Sequence, residues 1–464
     1  MRLTGVWGGS RRCAGAKSVL LAAIRGAVAL SSALIAVLIG APAQAQGSDW
    51  IRNLPGFSPE PERHDSRPAP RPKAAAEPQN DLRTGDMPLR SDAMLKALQS
   101  TIEAYTAIAQ KGGWPQIPGT RAMRPGDDDE RMPAVRRRLI ATGDLRGSQS
   151  FENFNFDGEL EQAVRRFQER NGLRLSGRID RSTLQAMNVP IQARIAQLQK
   201  NYQRVEELIG QRIEDRYIVV NMPGFQLEAV EKGVVELRHR VIAGKPERQT
   251  PVVKASIRAL NFFPFWRVPD SVATLDLIPR LRKEPEYLQK EQIRVLKGDF
   301  NGAEINSSSI DWTTAEATRI KFRQDPGPQN ALGLVRLDMP NEHGVYMHDT
   351  PMKPLFGQAS RAFSAGCVRV QDVFDLAAWI ARDEPNFDRR RIDTILEGGQ
   401  ATDITLTHQM PVYFAYITAW VEPGGRVEFR PDIYGRDGLR ELSGDREKDP
   451  DAPPPPPQIN TLAP

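Results

Sequence analysis

The pattern of apolar residues predicts two long helices on either side of a smaller helical region. The first begins after Ser91, which can cap it, because apolar residues then recur three or four positions apart. The second opens at Pro190, and its apolar residues keep helical spacing until Gly210 closes it. We expect these two helices to pack against each other and to bracket the residues between them.

The residues between the long helices, 127–188, predict a module of short helices. Val135 and Leu139 lie four positions apart on one of them. Asp157 and Asp180 each precede a helical pattern and can accept the hydrogen bonds of its first turn. The region therefore reads as a small all-helical unit.

After Gly210 the pattern changes to alternation, which indicates β-strands. The predicted strands are residues 217–221, 226–230, 236–243, 320–322, 334–337 and 344–348, and a final hairpin of 412–420 with 426–429. Residues 271–311 interrupt this pattern with charged, helix-like sequence, so we interpret them as an insertion over the β core and a candidate lid. A helix is predicted at Val373–Ile380.

The first 45 residues have the pattern of a secretory signal peptide. A basic start leads into an apolar run at 27–40, followed by the small-x-small site Ala43-Gln44-Ala45. We expect cleavage after Ala45 and export to the periplasm. The alternative is an uncleaved signal, which would be the only attachment of the chain to a membrane.

Removal of this signal changes the net charge and the number of cysteines in the chain. The chain has 464 residues, with 63 Lys and Arg against 58 Asp and Glu, but residues 1–45 hold five of the basic residues and no acidic one. The exported part is therefore formally neutral, which argues against a nucleic-acid partner. Of the two cysteines, Cys13 lies in the signal, so Cys367 is the one thiol of the exported chain. It is either a reactive group or a small buried apolar residue.

The module resembles the peptidoglycan-binding module of bacterial cell-wall enzymes. The landmarks are Phe156-Asp157, Phe167-Gln168, Asn171-Gly172-Leu173, Gly177, Ile179-Asp180 and Thr183-Leu184. The resemblance implies affinity for the cell wall or, alternatively, a packing role only.

The segment 341–372 carries the residue types that thiol chemistry needs. A cysteine nucleophile requires a base, a donor for the oxyanion and a group that orients the base. His343 and His348 precede Cys367, and on one continuous strand they would point to opposite faces. The spacing of His348 from Ser364-Ala365-Gly366-Cys367-Val368-Arg369 resembles the signature of the L,D-transpeptidase catalytic domain of the YkuD type, in its large periplasmic branch.

The resemblance implies a role for each matching position. Cys367 corresponds to the nucleophile, and His348 corresponds to the general base that later acts as the acid. Gly366 and the neighbouring backbone N–H groups correspond to the oxyanion hole, and Arg369 to a residue that shapes the site or binds a substrate carboxylate. The candidate substrate-binding residues are Tyr346, His343 and Ser364. Ala365 stands where many relatives carry a second histidine, which puts an auxiliary contact in doubt.

These observations predict an α+β protein with a mainly-β, sandwich-like catalytic domain and a small all-α module. The predicted organisation is a signal peptide at 1–45, a proline-rich linker at 46–90, a scaffold helix region at 91–126, the module at 127–188, a scaffold helix at 189–211, the catalytic domain at 212–440 with its insertion at 271–311, and a proline-rich disordered tail at 441–464.

The resemblance implies a reaction in which Cys367 attacks the bond between the L-centre and the terminal D-Ala of a peptidoglycan stem. D-Ala leaves, and the acyl group passes to an amine of a second stem, with no metal and no other cofactor. It also implies acylation of the thiol by carbapenems. Three alternatives stay open: an L,D-carboxypeptidase, a lipoprotein-anchoring transpeptidase and a non-catalytic wall-binding scaffold. A cysteine peptidase of another family would differ from all of these by cutting ordinary L,L-peptides.

Overall fold

The computed structural model describes residue 82 and residues 84–146, 152–315, 319–385 and 387–439. The described residues all belong to one compact unit. The predicted signal peptide, the linker up to residue 81 and the predicted tail lie outside the described residues.

Within these ranges the helices follow one another from the first scaffold helix to the region after Cys367. They are α1 (Asp92–Gln110), α2 (Met132–Ala141), α3 (Gly158–Arg170), α4 (Arg181–Met187), α5 (Ile191–Ile209), α6 (Asp270–Val272), α7 (Ile278–Leu281), α8 (Tyr287–Lys290), α9 (Val373–Ile380) and α10 (Arg389–Gly398), with a π-helical turn at Ala273–Leu277 and 3₁₀ turns at Ser307–Ser309 and Lys353–Gly357.

The strands all follow the last scaffold helix. They are β1 (Arg216–Asn221), β2 (Gln226–Glu231), β3 (Val234–Gly244), β4 (Val253–Phe262), β5 (Trp266–Arg267), β6 (Ile293–Lys297), β7 (Glu304–Ile305), β8 (Ile320–Gln324), β9 (Val335–Asp338), β10 (Met347–His348), β11 (Ala362–Ser364), β12 (Val368–Val370), β13 (Thr402–Ala415), β14 (Ala419–Glu422) and β15 (Arg426–Phe429).

The predicted helix starts are confirmed in detail. The side chain of Ser91 accepts from the N–H of Met94 at the start of α1, and Asp157 and Asp180 cap α3 and α4 in the same way. Pro190 precedes α5 and Gly210 follows it with φ +62°. Helices α1 and α5 pack against each other, as the apolar spacing predicted.

The catalytic region is built on one nine-stranded sheet that closes on itself. The strand order is β11-β3-β12-β10-β9-β4-β13-β1-β2, and β2 pairs with β3 again. Strand β3 makes this closure possible because it is long: its first half pairs with β2, and its last residues pair with β12 and β11. The predicted α+β class, with a sheet-rich catalytic part and a helical module, is confirmed.

The two faces of this sheet belong to different hydrophobic clusters. One face packs against α9 and α10, and Cys367 lies at the margin of that cluster. The other packs against α1, α5 and the β14–β15 hairpin. The scaffold helices are therefore held by the catalytic sheet, and the module helices α2–α4 have a third core of their own.

The predicted insertion, residues 271–311, contains more strand than its sequence predicts. Its strands β6 and β7 join the flanking strands β5 and β8 in a separate four-stranded sheet, in the order β5-β8-β6-β7, with an apolar cluster that includes Trp266, Trp312 and Phe322. Helices α6–α8 pack on this cluster. Strand β8, which the alternating pattern predicted, pairs within this sheet and not within the nine-stranded one.

Three features differ from the predicted elements. The prediction of one strand from Val412 to Trp420 was wrong, because β13 ends at Ala415 and β14 begins at Ala419. Strand β4 and helix α10 were not predicted at all, although residues 253–258 alternate between apolar and polar. In the part of the chain that the structure describes, no helix combines the length and the apolar content needed to cross a bilayer.

Candidate active site

Cys367 lies in a bend between β11 and β12, with 7% of its surface exposed. Gly366 has φ +128°, a conformation that favours glycine, and allows the bend to turn directly before the cysteine. Strand β12 begins at the next residue, Val368, so one end of the cysteine loop is fixed in the sheet. The thiol is therefore presented from a short, ordered loop.

Hydrogen bonds within this loop hold it in shape. The hydroxyl of Ser364 donates to the carbonyl of Cys367 at 2.6 Å and accepts from the N–H of Gly366 at 3.2 Å. The hydroxyl of Thr250 donates to the carbonyl of Gly366 at 2.8 Å. Ser364 is fully buried, and the described contacts of its side chain are with the loop backbone. Its side chain thus orders the loop that carries Cys367.

His348 is buried on β10, and its tautomer follows from one contact. Its Nδ1 lies 2.5 Å from the backbone carbonyl of Asp349. Because a carbonyl can only accept, Nδ1 carries the hydrogen, and in the neutral ring Nε2 is the basic nitrogen. The carboxylate of Asp349 accepts from the N–H of Leu334 at 3.0 Å and pairs with Lys353. These contacts fix the residue whose carbonyl orients the imidazole.

Tyr346 connects the thiol and the imidazole. Its ring meets that of His348 edge-on, with centroids 5.7 Å apart. Burial raises the pKa of the Cys367 thiol to about 11, while hydrogen bonds from the backbone N–H and the hydroxyl of Tyr346 lower it, as do the charges of Arg369 and Arg336. Burial, followed by the proximity of Cys367, also raises the pKa of Tyr346 well above its usual value. The resting pair is therefore a neutral thiol beside a neutral phenol.

Arg369 lies on β12 directly opposite His348. Its side chain is 1% exposed, its Nη1 lies 3.8 Å from the sulfur of Met352, and burial lowers its pKa to about 10. It is still a cation at neutral pH, and its charge favours the thiolate form of Cys367. The structure thus places Arg369 next to His348 in the sheet, with its charge close enough to act on Cys367.

The structure does not bring His343 together with these residues in any described contact. Strand β10 begins only at Met347, so residues 341–344 form a turn and the expectation of one continuous strand fails. The ring of His343 is exposed and lies 3.4 Å from a carboxylate oxygen of Glu342. The substrate-binding role predicted for His343 remains a prediction.

Three nearby residues carried no motif in the sequence. Arg336 on β9 lies opposite His348, with its guanidinium 5.6 Å from the ring centre of Tyr346. Asp349 orients the imidazole through its carbonyl. Trp266, from the insertion, lies close enough to Tyr346 to lower its pKa. A strand pattern could have indicated the face of Arg336, but only the register between strands places it beside His348.

Two known protein families match parts of this chain. Residues 215–398 match the family described as "L,D-transpeptidase catalytic domain" of the YkuD type. This part of the chain is similar to that domain. Residues 128–187 match the family described as "Putative peptidoglycan binding domain". Both matches agree with the resemblances seen in the sequence.

One curated relative shares the L,D-transpeptidase region. A protein of Haemophilus influenzae described as "Putative L,D-transpeptidase" is 34% identical over 235 residues, which are 50% of this chain and 47% of that protein. The chain thus spans about half the length of the curated relative it matches.

Two solved structures are more distant. An L,D-transpeptidase from Mycobacterium smegmatis is 13% identical, with a TM-score of 0.22, over 43% of this chain and 58% of its own. One from Stackebrandtia nassauensis is also 13% identical, with a TM-score of 0.24, over 64% and 96%. Both TM-scores are low, so neither superposition supports a conclusion.

Proposed function

We propose that this protein is a peptidoglycan L,D-transpeptidase that acts outside the cytoplasm and forms 3→3 cross-links between stem peptides. The observation that carries the proposal is the contact of Tyr346 with both Cys367 and His348, within the region that matches the family. The peptidoglycan-binding family match of residues 128–187 supports the same substrate.

The first step is acylation of the enzyme. With a pKa of about 11, the thiol holds only about one part in ten thousand as thiolate at pH 7. Attack therefore needs a base, and Nε2 of His348 takes the proton as the sulfur bonds to the carbonyl carbon of the L-centre. The C–N bond to D-Ala then breaks, His348 returns the proton to the leaving amine, and a thioester remains.

The second step transfers the acyl group to an amine of another stem. His348 accepts a proton from that amine as it attacks the thioester, and the thiol of Cys367 is regenerated. The oxyanion of each tetrahedral intermediate is stabilised by the N–H of Cys367, because the N–H of Gly366 already donates to Ser364. The charge of Arg369 stabilises the thiolate, and Tyr346 orients the sulfur.

The test is incubation of wild type and Cys367→Ala with purified tetrapeptide muropeptides. We expect wild type to release D-Ala and form dimers, and Cys367→Ala to do neither. D-Ala release by Cys367→Ala would show that the nucleophile is assigned wrongly. Tripeptide products without dimers would indicate an L,D-carboxypeptidase, and attachment to a lipoprotein amine would indicate an anchoring enzyme. Binding to peptidoglycan with no product from wild type would indicate a scaffold.

A second measurement tests the nucleophile without a peptidoglycan substrate. A carbapenem should acylate Cys367, and intact mass spectrometry should show one adduct on wild type. The matched variant Cys367→Ala should remain unmodified. An unmodified wild-type protein would count against a reactive thiol at this position.

A further inference from the structure

The residues beside His348 separate into two rows across the sheet. Leu337, Met347 and Val368 lie opposite one another on β9, β10 and β12, and all three are in the apolar core. The neighbouring row consists of Arg336, His348 and Arg369. Since residues directly opposite share a face, both arginines project to the side of the sheet that carries the imidazole.

The two arginines differ in their access to a ligand. The side chain of Arg369 is almost fully buried and packs on Met352. The side chain of Arg336 is 32% exposed. A substrate that reaches His348 can therefore meet Arg336 without any rearrangement, whereas Arg369 is covered.

Arg336 is held in place without being fully neutralised. The amide oxygen of Asn261 accepts from Nε and Nη2 of Arg336, at 3.1 and 2.9 Å. The carboxylate of Asp338 lies 3.3 Å from Arg336 but 2.6 Å from Arg258, so one carboxylate serves two guanidinium groups. One positive charge is left over, and in the described part of the chain no contact uses Nη1 of Arg336.

Arg336 and His348 are neighbours, because they lie directly opposite each other on strands about 4.8 Å apart. In the proposed reaction His348 protonates the leaving amine of the terminal D-amino acid. Of the two arginines opposite His348, only Arg336 is exposed enough to meet the carboxylate of that same residue.

We propose that Arg336 binds the free carboxylate of the leaving D-amino acid. It thereby restricts the enzyme to stems in which this D-amino acid is the last residue. This inference rests on the proposed function, because it assigns one end of the same substrate. The resemblance assigned carboxylate binding to Arg369, which is buried. We assign it to Arg336, the exposed arginine on the other side of β10. A stem extended by another residue carries an amide at that position and lacks the charge that Arg336 recognises.

The test compares two substrates that differ only in this group: a tetrapeptide stem that ends in D-Ala and the same stem that ends in D-Ala amide. We expect wild type to prefer the carboxylate by about 10- to 100-fold in kcat/KM, the size of a charge-assisted hydrogen bond. Arg336→Gln should lower the ratio of the two kcat/KM values, carboxylate over amide, by that factor. Arg336→Lys should recover part of the preference.

The matched control is Arg389→Gln, which removes an exposed guanidinium on α10 that pairs with Asp375 and Asp393 and should leave the preference intact. Arg336 also lowers the pKa of Cys367, so its removal raises that pKa and slows the reaction of both substrates equally. The ratio of the two kcat/KM values therefore reports only on recognition of the carboxylate. Equal losses of Arg336→Gln on both substrates, or an unchanged ratio, would overturn the inference. Melting temperatures of all variants check that they fold.

A binding measurement separates this inference from the proposed reaction. In a Cys367→Ala background, which cannot form the thioester, calorimetry with both stems should show tighter binding of the carboxylate, and Arg336→Gln should abolish that difference. If wild type turns over neither stem but the binding difference appears, the proposed reaction fails and the site of Arg336 stands. If neither stem binds, or both bind equally, the inference is wrong.

Discussion

At the scale of single residues, two opposing effects act on the pKa of the Cys367 thiol. Burial destabilises the thiolate, while the N–H and hydroxyl of Tyr346 and the charges of two arginines stabilise it. Burial prevails, and the resting thiol stays protonated at neutral pH. A protonated thiol reacts slowly with oxidants, and in the proposed reaction it becomes a nucleophile only when His348 removes its proton.

The raised thiol pKa predicts a loss of stability in alkaline solution. The thiol ionises near pH 9 in the unfolded chain and near pH 11 in the folded protein. Between these values the folded state binds the extra proton, so stability is unaffected below pH 9 and falls as the pH rises to about 11. The full loss is on the order of 3 kcal/mol. Urea unfolding from pH 8 to pH 11 measures it.

Cys367→Ala is the control for this alkaline loss. It lacks the thiol but keeps the other groups that titrate in this range, so its stability should fall less steeply from pH 9 to pH 11. Parallel curves for wild type and Cys367→Ala would contradict the raised pKa.

At the scale of secondary-structure elements, the loop after β3 connects the insertion to the cysteine loop. Residues 245–250 contact the cysteine loop twice: the N–H of Lys245 donates to the carbonyl of Ser364, and Thr250 holds Gly366. Arg248, in the same loop, pairs with Asp276 in the π-helical turn of the insertion. Both side chains of this pair are mostly buried, so it ties the candidate lid to the wall of the site.

Breaking this pair should change the fate of the thioester. Without the pair, we expect Arg248→Gln to let water reach the acyl group, raising the ratio of hydrolysed tripeptide to cross-linked dimer about two- to fivefold, the effect of one partly exposed ion pair. Product analysis by liquid chromatography measures the ratio. Glu284→Gln removes a carboxylate that pairs with Arg280 inside the insertion and should leave the ratio unchanged. An unchanged ratio in Arg248→Gln would show that this ion pair does not control the access of water to the thioester.

The elements that could be predicted from sequence are those with local signals. Capping residues and apolar spacing defined α1, α3, α4 and α5 because these signals lie within each helix. The break between β13 and β14 has no local signal, since Asn221 and Asn201, two hundred positions away, bind the N–H groups of Ile417 and Thr418. These tertiary contacts end β13, and no pattern within 412–420 reveals them.

The candidate site divides in the same way. The spacing of the motif located Cys367 and His348, and the structure brings both to Tyr346. Arg336 lies in a strand that was predicted, but its place beside His348 depends on the register of β9 against β10. Register is decided by the whole sheet.

At the scale of the whole molecule, the module is part of the same compact unit as the catalytic sheet. The guanidinium of Arg430, next to the β14–β15 hairpin, donates to the carbonyl of Arg170 at the end of α3 at 3.2 Å, and Arg426 pairs with Glu169 at 2.9 Å. Asn171, which follows α3, accepts from Arg194 on α5 at 3.1 Å. The module is thus fixed against the scaffold helix and the hairpin, which gives any wall-binding surface on it a constant position relative to Cys367.

The buried ion pair at this junction should therefore control the stability of the whole unit. Asp144 accepts from Nε and Nη2 of Arg170 at 2.7 and 2.5 Å, and both side chains are about 5% exposed or less. Asp144→Asn leaves the Arg170 charge buried without its counterion, which costs about 3–5 kcal/mol. Glu161→Gln, which breaks the exposed pair with Arg165 in the same module, should cost less than about 1 kcal/mol. Arg170 also contacts Arg430, so the module and the catalytic part should unfold together. We expect urea unfolding of Asp144→Asn to show one transition, at a lower denaturant concentration than wild type. Helical circular dichroism and the loss of carbapenem acylation should report the same transition. A separate early transition of the helical signal, with acylation retained, would show that the module unfolds independently and would contradict this coupling.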